Sequence, residues 1–233
     1  MTEDAFLKQY NIHDFDVPLC TVDIAIFSLI NSEIHVLMVQ REEHPYKDKW
    51  ALPGGFIHLN EDDSTESAAH RTLQYKTGMY SAYLEQVKTI SSPKRDPRGW
   101  SLTVLYFALV DFNQVETDNK SIWISISDLK HHELAFDHNE LIDEAVKRLH
   151  AKATYTALPI ELMPREFTLT ELQRVFEIIL DRDLQAKAFR NRVLSANMVI
   201  ETGNSKISGK RSARLFKSTG INRDLHFNRP LMN

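Results

Sequence analysis

Apolar residues in the first 130 positions follow patterns that are typical of β-strands. Residues 19–30 (LCTVDIAIFSLI) and 34–40 (IHVLMVQ) are rich in apolar and β-branched side chains. The turn-forming segment Asn31-Ser32-Glu33 separates them, so the two segments are predicted to form a β-hairpin. Similar patterns predict three more strands, over residues 83–91, 101–112 and 121–126.

Two segments in the same region have helical spacing instead. Residues 64–77 are predicted to form a helix, with Ser64 as its N-cap and Gly78 as its C-terminal stop. Between 139 and 152 apolar residues recur at three- and four-residue intervals, which also predicts a helix.

The pattern changes after about residue 153. Residues 154–166 contain two prolines and are predicted to form a linker or a short turn. Helix, helix, strand, loop and strand are predicted next, over residues 168–180, 184–196, 199–202, 203–211 and 214–218. Two helices followed by a hairpin with a basic tip are typical of a winged helix-turn-helix. We therefore predict two domains, 1–153 and 154–233.

The composition is that of a globular protein, with 42% hydrophobic and 26% charged residues. No apolar run is long enough to span a bilayer, and the polar start MTEDAFLKQY does not resemble a signal peptide. The single cysteine, Cys20, excludes an intramolecular disulfide framework and a multi-cysteine zinc site. We expect a cytoplasmic protein without a membrane partner.

Charge is distributed unevenly along the chain. Residues 1–154 hold 15 basic and 24 acidic residues, whereas residues 155–233 hold 13 basic and 8 acidic residues. Within 187–217 eight lysines and arginines accompany a single acid, Glu201. Such a basic cluster on an acidic protein indicates a local contact with a polyanion, the alternative being an ordinary solvated surface.

Residues 50–79 (WALPGGFIHLNEDDSTESAAHRTLQYKTGM) resemble the Nudix box. Five positions match the pattern of that motif: Gly55, Glu61, Arg71, Leu73 and Gly78. Nine residues separate Glu61 from Arg71 where the pattern has seven, so Asp63 is an alternative match. The resemblance implies an α+β Nudix fold of α-β-α type, in which helices cover a mixed sheet, ahead of the winged helix-turn-helix.

Three glutamates of that motif are replaced here, by Thr72, Tyr75 and Lys76. Nudix enzymes cleave a pyrophosphate with water activated at Mg²⁺, which requires carboxylate oxygens on one helical face. A lysine puts a positive charge where the dication would bind. We therefore expect no catalytic residue, metal site or cofactor. The alternative is a Mg-dependent ADP-ribose pyrophosphatase with residual activity, in which remaining acids hold a metal loosely: Glu61, Asp62, Asp63 and Glu66.

Other parts of the segment retain features that suit a nucleotide. Gly54 and Gly55 allow the backbone to approach a phosphate closely, and arginines bind phosphates through paired hydrogen bonds. The candidate ligand-binding residues are Arg41, Gly54, Gly55, Phe56, Arg95, Asp96 and Arg98. Trp50 and Trp100 offer further aromatic faces. Core packing of the aromatic rings and surface ion pairs of the arginines are the simpler alternatives.

The resemblance extends over the whole chain, to the NrtR family of Nudix-related transcriptional regulators. The segments that carry it are TVD at 21–23, VQR at 39–41, HP at 44–45, WALPGGF at 50–56, KTG at 76–78, RDPRGWS at 95–101, AFDH at 135–138, FTLTELQ at 167–173, FRNRV at 189–193 and GKRSARLF at 209–216. The resemblance implies a homodimeric regulator, commonly a repressor of NAD biosynthesis or salvage genes, with ADP-ribose as effector. Some relatives respond to sugars instead.

The second helix of the C-terminal domain is the expected reader of DNA. Arginine can recognise guanine and asparagine adenine, while lysine mainly contacts phosphates. The candidate contacts are Lys187, Arg190, Asn191 and Arg192 on that helix and Lys206, Lys210, Arg211 and Arg214 on the wing. A two-fold dimer would bind a palindromic operator on double-stranded DNA. The competing possibility is a protein-interaction module that binds no specific DNA.

Overall fold

The computed structural model describes residues 1–79, 82–116, 119–208, 211–220, 227 and 231 of the 233-residue chain. Five α-helices form within these residues: α1 (Glu3–Gln9), α2 (Thr65–Thr77), α3 (His138–Tyr155), α4 (Leu169–Leu180) and α5 (Ala186–Ser195). The same residues form nine strands: β1 (Leu19–Ile30), β2 (Glu33–Gln40), β3 (Trp50–Ala51), β4 (Gly54–Phe56), β5 (Tyr83–Ser92), β6 (Ser101–Leu109), β7 (Ser121–Ser125), β8 (Val199–Ser208) and β9 (Arg211–Ser218). The elements predicted before residue 153 are confirmed in type.

Strand β1 lies at the centre of the larger sheet, which has seven strands in the described residues. It runs parallel to β6 and pairs antiparallel with β2 and β4. The sheet order is β3-β2-β1-β6-β5, with β7 paired to β2. The predicted hairpin is confirmed, because β1 and β2 pair antiparallel from the Ile30–Glu33 position onward.

Both faces of the sheet are covered, because successive residues of a buried strand point to opposite sides. Ile24 and Ile26 of β1 lie in one apolar core together with Leu73 of α2. Phe27 lies in a second core together with Leu141 of α3. The result is a mixed sheet between two helical layers, so the predicted α-β-α fold class is confirmed.

Helix α2 begins and ends at its predicted capping residues. The Ser67 backbone N–H donates to Ser64 Oγ at 3.1 Å, and the Ser64 N–H donates to Ser67 Oγ at 2.9 Å, which together form a capping box. At the other end Gly78 adopts a φ of 72°, a left-handed conformation that favours glycine. These caps fix the ends of the helix that follows β4.

The C-terminal part has the predicted order of a winged helix. Thr168 and Glu171 form a capping box at the start of α4. Phe176 of α4 and Phe189 of α5 pack edge to face, with ring centroids 5.2 Å apart. Strands β8 and β9 then pair antiparallel as the wing.

One prediction for the wing is wrong. The sequence predicts a loop over residues 203–211, but β8 continues to Ser208 and β9 begins at Arg211. Gly203 adopts a φ of 81° within a bulge between Glu201 and Ser205, after which the strand pairing resumes. Three residues separate Glu201 from Ser205, whereas one separates their partners Phe216 and Arg214, so the bulge absorbs two extra residues without ending the strand.

Of the two alternatives predicted for residues 154–166, the short turn is confirmed and the linker is wrong. Helix α3 continues to Tyr155, and the 3-10 turn Leu158–Leu162 buries most of its side chains. One apolar cluster therefore runs from the α3 face of the sheet into the winged helix. The division of the chain at 153/154 remains a proposal. No helix in the part of the chain that the structure describes is long and apolar enough to cross a membrane.

Candidate functional site

The seven residues predicted to bind a ligand all line one cleft. Its volume is about 230 Å³, and it lies where β2, β4 and the loop between β5 and β6 meet. The seven are Arg41, Gly54, Gly55, Phe56, Arg95, Asp96 and Arg98. The other lining residues are Thr21, Asp23, Glu43, His44, Leu52, Phe136 and His138.

Arg95 forms the floor of the cleft with two acids. Its Nε and Nη2 atoms donate to the two carboxylate oxygens of Asp137, each at 3.0 Å, and Nη2 lies 3.6 Å from an oxygen of Asp23. Only 8% of Arg95 is exposed. Because two carboxylates already surround its guanidinium group, Arg95 fixes the start of α3 to the sheet and is placed to shape the cleft.

His138, the first residue of α3, completes this buried floor. The backbone N–H of Leu52 donates to its Nδ1 at 2.8 Å, and its Nε2 lies 3.7 Å from Asp23. Burial lowers the pKa of His138, so the ring is neutral at pH 7. With Nδ1 accepting, the proton belongs on Nε2, which faces the Asp23 carboxylate.

Arg41 and Arg98 place two guanidinium groups at the wall of the cleft, over aromatic rings. The Arg41 guanidinium carbon lies 4.8 Å from the ring centre of Phe136, and that of Arg98 lies 5.1 Å from the ring centre of Phe56. Two hydrogen bonds from Arg98 Nε and Nη2 to Asp96 hold its side chain in place. Hydrogen bonding to Asp96 raises the pKa of Arg98, whereas burial lowers that of Arg41. Paired arginines beside aromatic faces suit a ligand that combines phosphates with a base or sugar.

Phe136 is a cleft residue to which the sequence alone assigned no role. It adopts a φ of 54°, which is strained for a bulky side chain, and its ring packs against Tyr46. Phe136 belongs to the segment AFDH at 135–138, which carries part of the family resemblance, so the sequence did contain an indication of its role. The structure brings Phe56 into the cleft, whereas Trp50 lies in β3 and Trp100 stands 47% exposed outside the cleft lining.

A larger cavity of about 520 Å³ lies between the β1–β2 turn, α3 and α4. Its lining is mainly apolar and its charged residues are the acids Glu33 and Asp181. Acids without a facing cation disfavour an anionic ligand. The smaller arginine-lined cleft is therefore the better site for a phosphate-containing molecule.

The two adjacent glycines of the cleft are expected to respond differently to substitution. A Cβ atom on Gly54 would lie 2.3 Å from the Asp23 carboxylate and 2.5 Å from the Val22 carbonyl oxygen, whereas a Cβ on Gly55 would meet no atom within 4 Å. We expect Gly54→Ala to lower the free energy of unfolding by about 1–3 kcal/mol. Gly55→Ala, the matched control, should change it much less. Urea unfolding measures both, and equal losses would contradict the structure.

Helix α2 carries Thr72, Tyr75 and Lys76, the three positions at which the sequence predicts that Nudix glutamates are replaced. Thr72 is buried, Tyr75 is 81% exposed, and the Lys76 Nζ lies 5.0 Å from the Tyr75 ring centre. Arg71 on this helix donates through Nε and Nη2 to both carboxylate oxygens of Asp62, at 2.8 and 2.6 Å. Asp62, and neither Glu61 nor Asp63, is thus the acid that pairs with the arginine.

The loosely bound metal considered from the sequence gains no support from these positions. Glu61 contacts His58 Nδ1 at 3.0 Å, and Asp62 is occupied by Arg71. Within the described residues no group of three or more His, Cys, Asp or Glu side chains is arranged to hold a metal ion.

The Arg71–Asp62 pair should make stability depend on acid pH. The hydrogen bond from Arg71 lowers the pKa of Asp62 to about 2, below its ordinary value of about 3.9. A lowered folded-state pKa gives stability that is present above about pH 4 and is lost as the pH falls toward 2. We expect Asp62→Asn to destabilise the chain at pH 7 and to converge with the wild type near pH 2. Thermal unfolding followed by circular dichroism across this range measures the difference, and a constant gap would contradict the assignment.

On α5, the candidate DNA-contacting residues divide between two faces. Phe189 and Val193 are buried and fix the helix against α4. Lys187, Arg190 and Asn191 are exposed on the remaining surface. The fourth candidate, Arg192, is half-buried, and its guanidinium carbon lies 5.8 Å from the ring centre of Phe227. Three of the four candidates are therefore presented to solvent together.

On the wing, two of the four candidate residues carry ion pairs. Lys206 contacts Glu171 at 2.8 Å and Arg214 contacts Glu201 at 3.0 Å. Both pairs are exposed, and exposed pairs of this kind are weak enough to exchange for a phosphate. Lys210 lies outside the described residues, and of Arg211 only the backbone, at the start of β9, is described.

Comparison with known proteins matches both halves of the chain to family models. Residues 21–145 match the NUDIX domain, and residues 159–218 match the NrtR DNA-binding winged helix domain. The chain is 49% identical, over 99% of its length and 94% of the relative's, to the "ADPR responsive transcriptional repressor NtrR" of Acinetobacter baylyi.

Two solved structures of a second relative are similar as well. NrtR of Shewanella oneidensis complexed with a 27mer DNA is 38% identical, with a TM-score of 0.86, and the match covers 91% of this chain and 98% of that one. The NUDIX domain of the same protein complexed with ADP ribose is 39% identical, with a TM-score of 0.59, over 64% of this chain and 99% of that one.

Proposed function

The chain belongs to the NrtR family, and on that premise we propose that it represses transcription by binding operator DNA through its winged helix, under the control of ADP-ribose bound in the Nudix cleft. The observation that carries the ligand assignment is the pair of guanidinium groups of Arg41 and Arg98 in the arginine-lined cleft. A diphosphate has the charge and the oxygen atoms to engage both groups. The ADP-ribose-bound NUDIX domain of the Shewanella relative supports the same choice.

The cleft favours a nucleotide over a free sugar. An uncharged sugar would supply no negative charge to the guanidinium groups of Arg41 and Arg98, whereas a diphosphate would add charged oxygen atoms to the pairing that Arg98 already has with Asp96. The aromatic rings of Phe56 and Phe136 lie under these same groups, where a base or ribose can stack. A sugar effector remains the second candidate because some family members respond to sugars.

In this proposal the cleft senses its ligand and does not hydrolyse it. Thr72, Tyr75 and Lys76 stand where the Nudix glutamates would supply oxygen ligands to Mg²⁺. None of these three residues of α2 has a carboxylate. Thr72 is buried, and Lys76 contacts the Tyr75 ring. The 49% identity to a transcriptional repressor supports a regulatory role.

For DNA recognition we propose that the exposed residues of α5, which we call the recognition helix, enter a major groove. Lys187, Arg190 and Asn191 are the contacts proposed on that helix, with Lys206 and Arg214 on the wing. A homodimer would place two such helices on a palindromic operator. Genes of NAD biosynthesis or salvage remain the predicted targets.

Calorimetry with ADP-ribose, in the presence and absence of Mg²⁺, tests the ligand assignment. We expect saturable binding with one site per chain, no requirement for Mg²⁺, and intact ADP-ribose when the sample is chromatographed afterwards. Arabinose is the competitor for the sugar alternative, and AMP is the competitor that lacks the ribose phosphate. Absence of binding would contradict the proposal, and release of AMP and ribose phosphate would favour the hydrolase alternative.

A further inference from the structure

The junction between α3 and the winged helix holds two residues from late in the sequence. Two described residues there, Phe227 and Leu231, pack against the main apolar cluster, and we call them the C-terminal anchor. The Phe227 N–H donates to the carbonyl oxygen of Tyr155 at 2.7 Å, and the Leu231 N–H donates to that of Thr154 at 2.6 Å. Both acceptors belong to the last turn of α3, whose carbonyl groups have no partner within the helix. The C-terminal anchor therefore caps α3.

The same anchor contacts the recognition helix. The Phe227 ring is 8% exposed and lies 6.3 Å from the ring of Phe176 on α4, centre to centre. Its other neighbour is Arg192 of the recognition helix, whose guanidinium carbon is 5.8 Å from the ring centre. One side chain thus touches both helices of the winged helix while its backbone is bonded to α3.

Helix α3 connects this junction to the arginine-lined cleft. It begins at His138, next to Asp137, which holds Arg95 in the cleft floor. Its 18 residues span about 27 Å at 1.5 Å per residue. A packed helix moves as a rigid element, so a change at the cleft floor shifts its last turn as well.

We propose that the C-terminal anchor couples α3 to the recognition helix, with Phe227 as the positioning residue and Arg192 as its partner rather than a base contact. This inference rests on the proposed function, since it describes how the cleft would control DNA binding. The alternative is that direct packing of α3 on α4 couples the cleft to the winged helix, because those two helices also contact each other.

The test is a pair of DNA titrations of the full-length chain, with and without saturating ADP-ribose, using a fluorescent duplex from its own promoter region. The ratio of the two Kd values is the coupling factor. In Phe227→Ala we expect the coupling factor to fall toward 1, by about fivefold or more, because coupling energies between sites are typically worth 5- to 150-fold in affinity. The calorimetric Kd for ADP-ribose should stay within about twofold, since the cleft is untouched.

The matched control is Phe112→Ala, which makes the same substitution at a half-exposed ring that packs on Trp123. Its coupling factor should equal that of the wild type. An unchanged factor in Phe227→Ala would overturn the proposal and assign the coupling to the α3–α4 contact. Absence of ADP-ribose binding or of a DNA response in the wild type would overturn the proposed function instead.

If Phe227→Ala fails to fold, a double-mutant cycle with Phe227→Leu and Arg192→Met tests the positioning role instead. Leucine retains apolar bulk but removes the ring under Arg192, and each single change should raise the DNA Kd about two- to fivefold. If Arg192 acts through Phe227, the double variant should lose no more than the larger single loss. Losses that multiply would show that Arg192 acts independently of Phe227 and would refute the positioning role.

Discussion

Replacing Arg95 by alanine is expected to have the largest effect on the cleft, abolishing ADP-ribose binding and lowering the free energy of unfolding by about 3–5 kcal/mol. The cause is the buried position of its partners. Asp137 accepts two hydrogen bonds from Arg95, and Asp23 lies 3.6 Å away, so both carboxylates would lose their compensating charge. Urea unfolding gives the stability, and calorimetry gives the affinity for ADP-ribose.

Arg98→Ala is the matched control for this prediction. It also removes one guanidinium group from the cleft, but the Arg98 side chain is 39% exposed and forms its ion pair with its near neighbour Asp96. We expect its stability to change by about 1 kcal/mol or less, because partly exposed pairs contribute little. Its ADP-ribose affinity should nevertheless fall. If the two variants lose equal stability, Arg95 does not have the buried structural role assigned to it.

The second large effect is expected on DNA binding. Removing Lys187 and Arg190 together should weaken binding to promoter DNA by about 30-fold or more, since a good arginine–base contact alone is worth about 1–3 kcal/mol. Both residues are exposed on the recognition helix, so the fold should be unaffected. The loss of positive charge should also reduce the slope of log Kd against log salt concentration.

A double variant of equal charge provides the comparison. Lys130→Ala with Lys147→Ala removes two exposed lysines from the part of the chain that precedes the winged helix. Gel-shift titrations of both double variants, with calorimetry to verify that ADP-ribose still binds, separate local contact from net charge. Similar DNA affinities for the two would refute a specific role for the recognition helix.

Much of the fold follows from local sequence. The hairpin of β1 and β2 follows from two apolar segments and the turn at Asn31–Glu33, because strand pairing there needs only neighbouring residues. Helix α2 begins after Ser64 and ends before Gly78 because serine is a favourable N-cap residue and glycine a favourable C-terminal stop. The full length of β8 could not be predicted in this way. Its second half is polar and follows a bulge, and its partner on β9 supplies the pairing.

In the candidate site, too, some features follow from the local sequence and others depend on distant contacts. Motif resemblance predicted that Arg41, Arg95 and Arg98 bind one ligand, but it did not distinguish the roles of the three arginines. The partner of Arg95, Asp137, is 42 residues further along the chain and belongs to another element. Likewise, Arg192 is half-buried and contacts Phe227 of the C-terminal anchor, a contact that no helical pattern reveals. Local patterns identify chemical groups, whereas tertiary contacts decide which of them are already paired.

The most direct test of ligand-controlled repression is the DNA affinity of the full-length chain measured by fluorescence anisotropy as ADP-ribose is added. ADP-ribose should favour a dimer geometry that no longer matches the operator, and so weaken binding to promoter DNA by about 5- to 150-fold. The effect should be lost in Arg98→Ala, whose recognition helix is intact. The same DNA affinity at every concentration of ADP-ribose, with calorimetry showing the cleft to be occupied, would contradict control of the winged helix by this ligand.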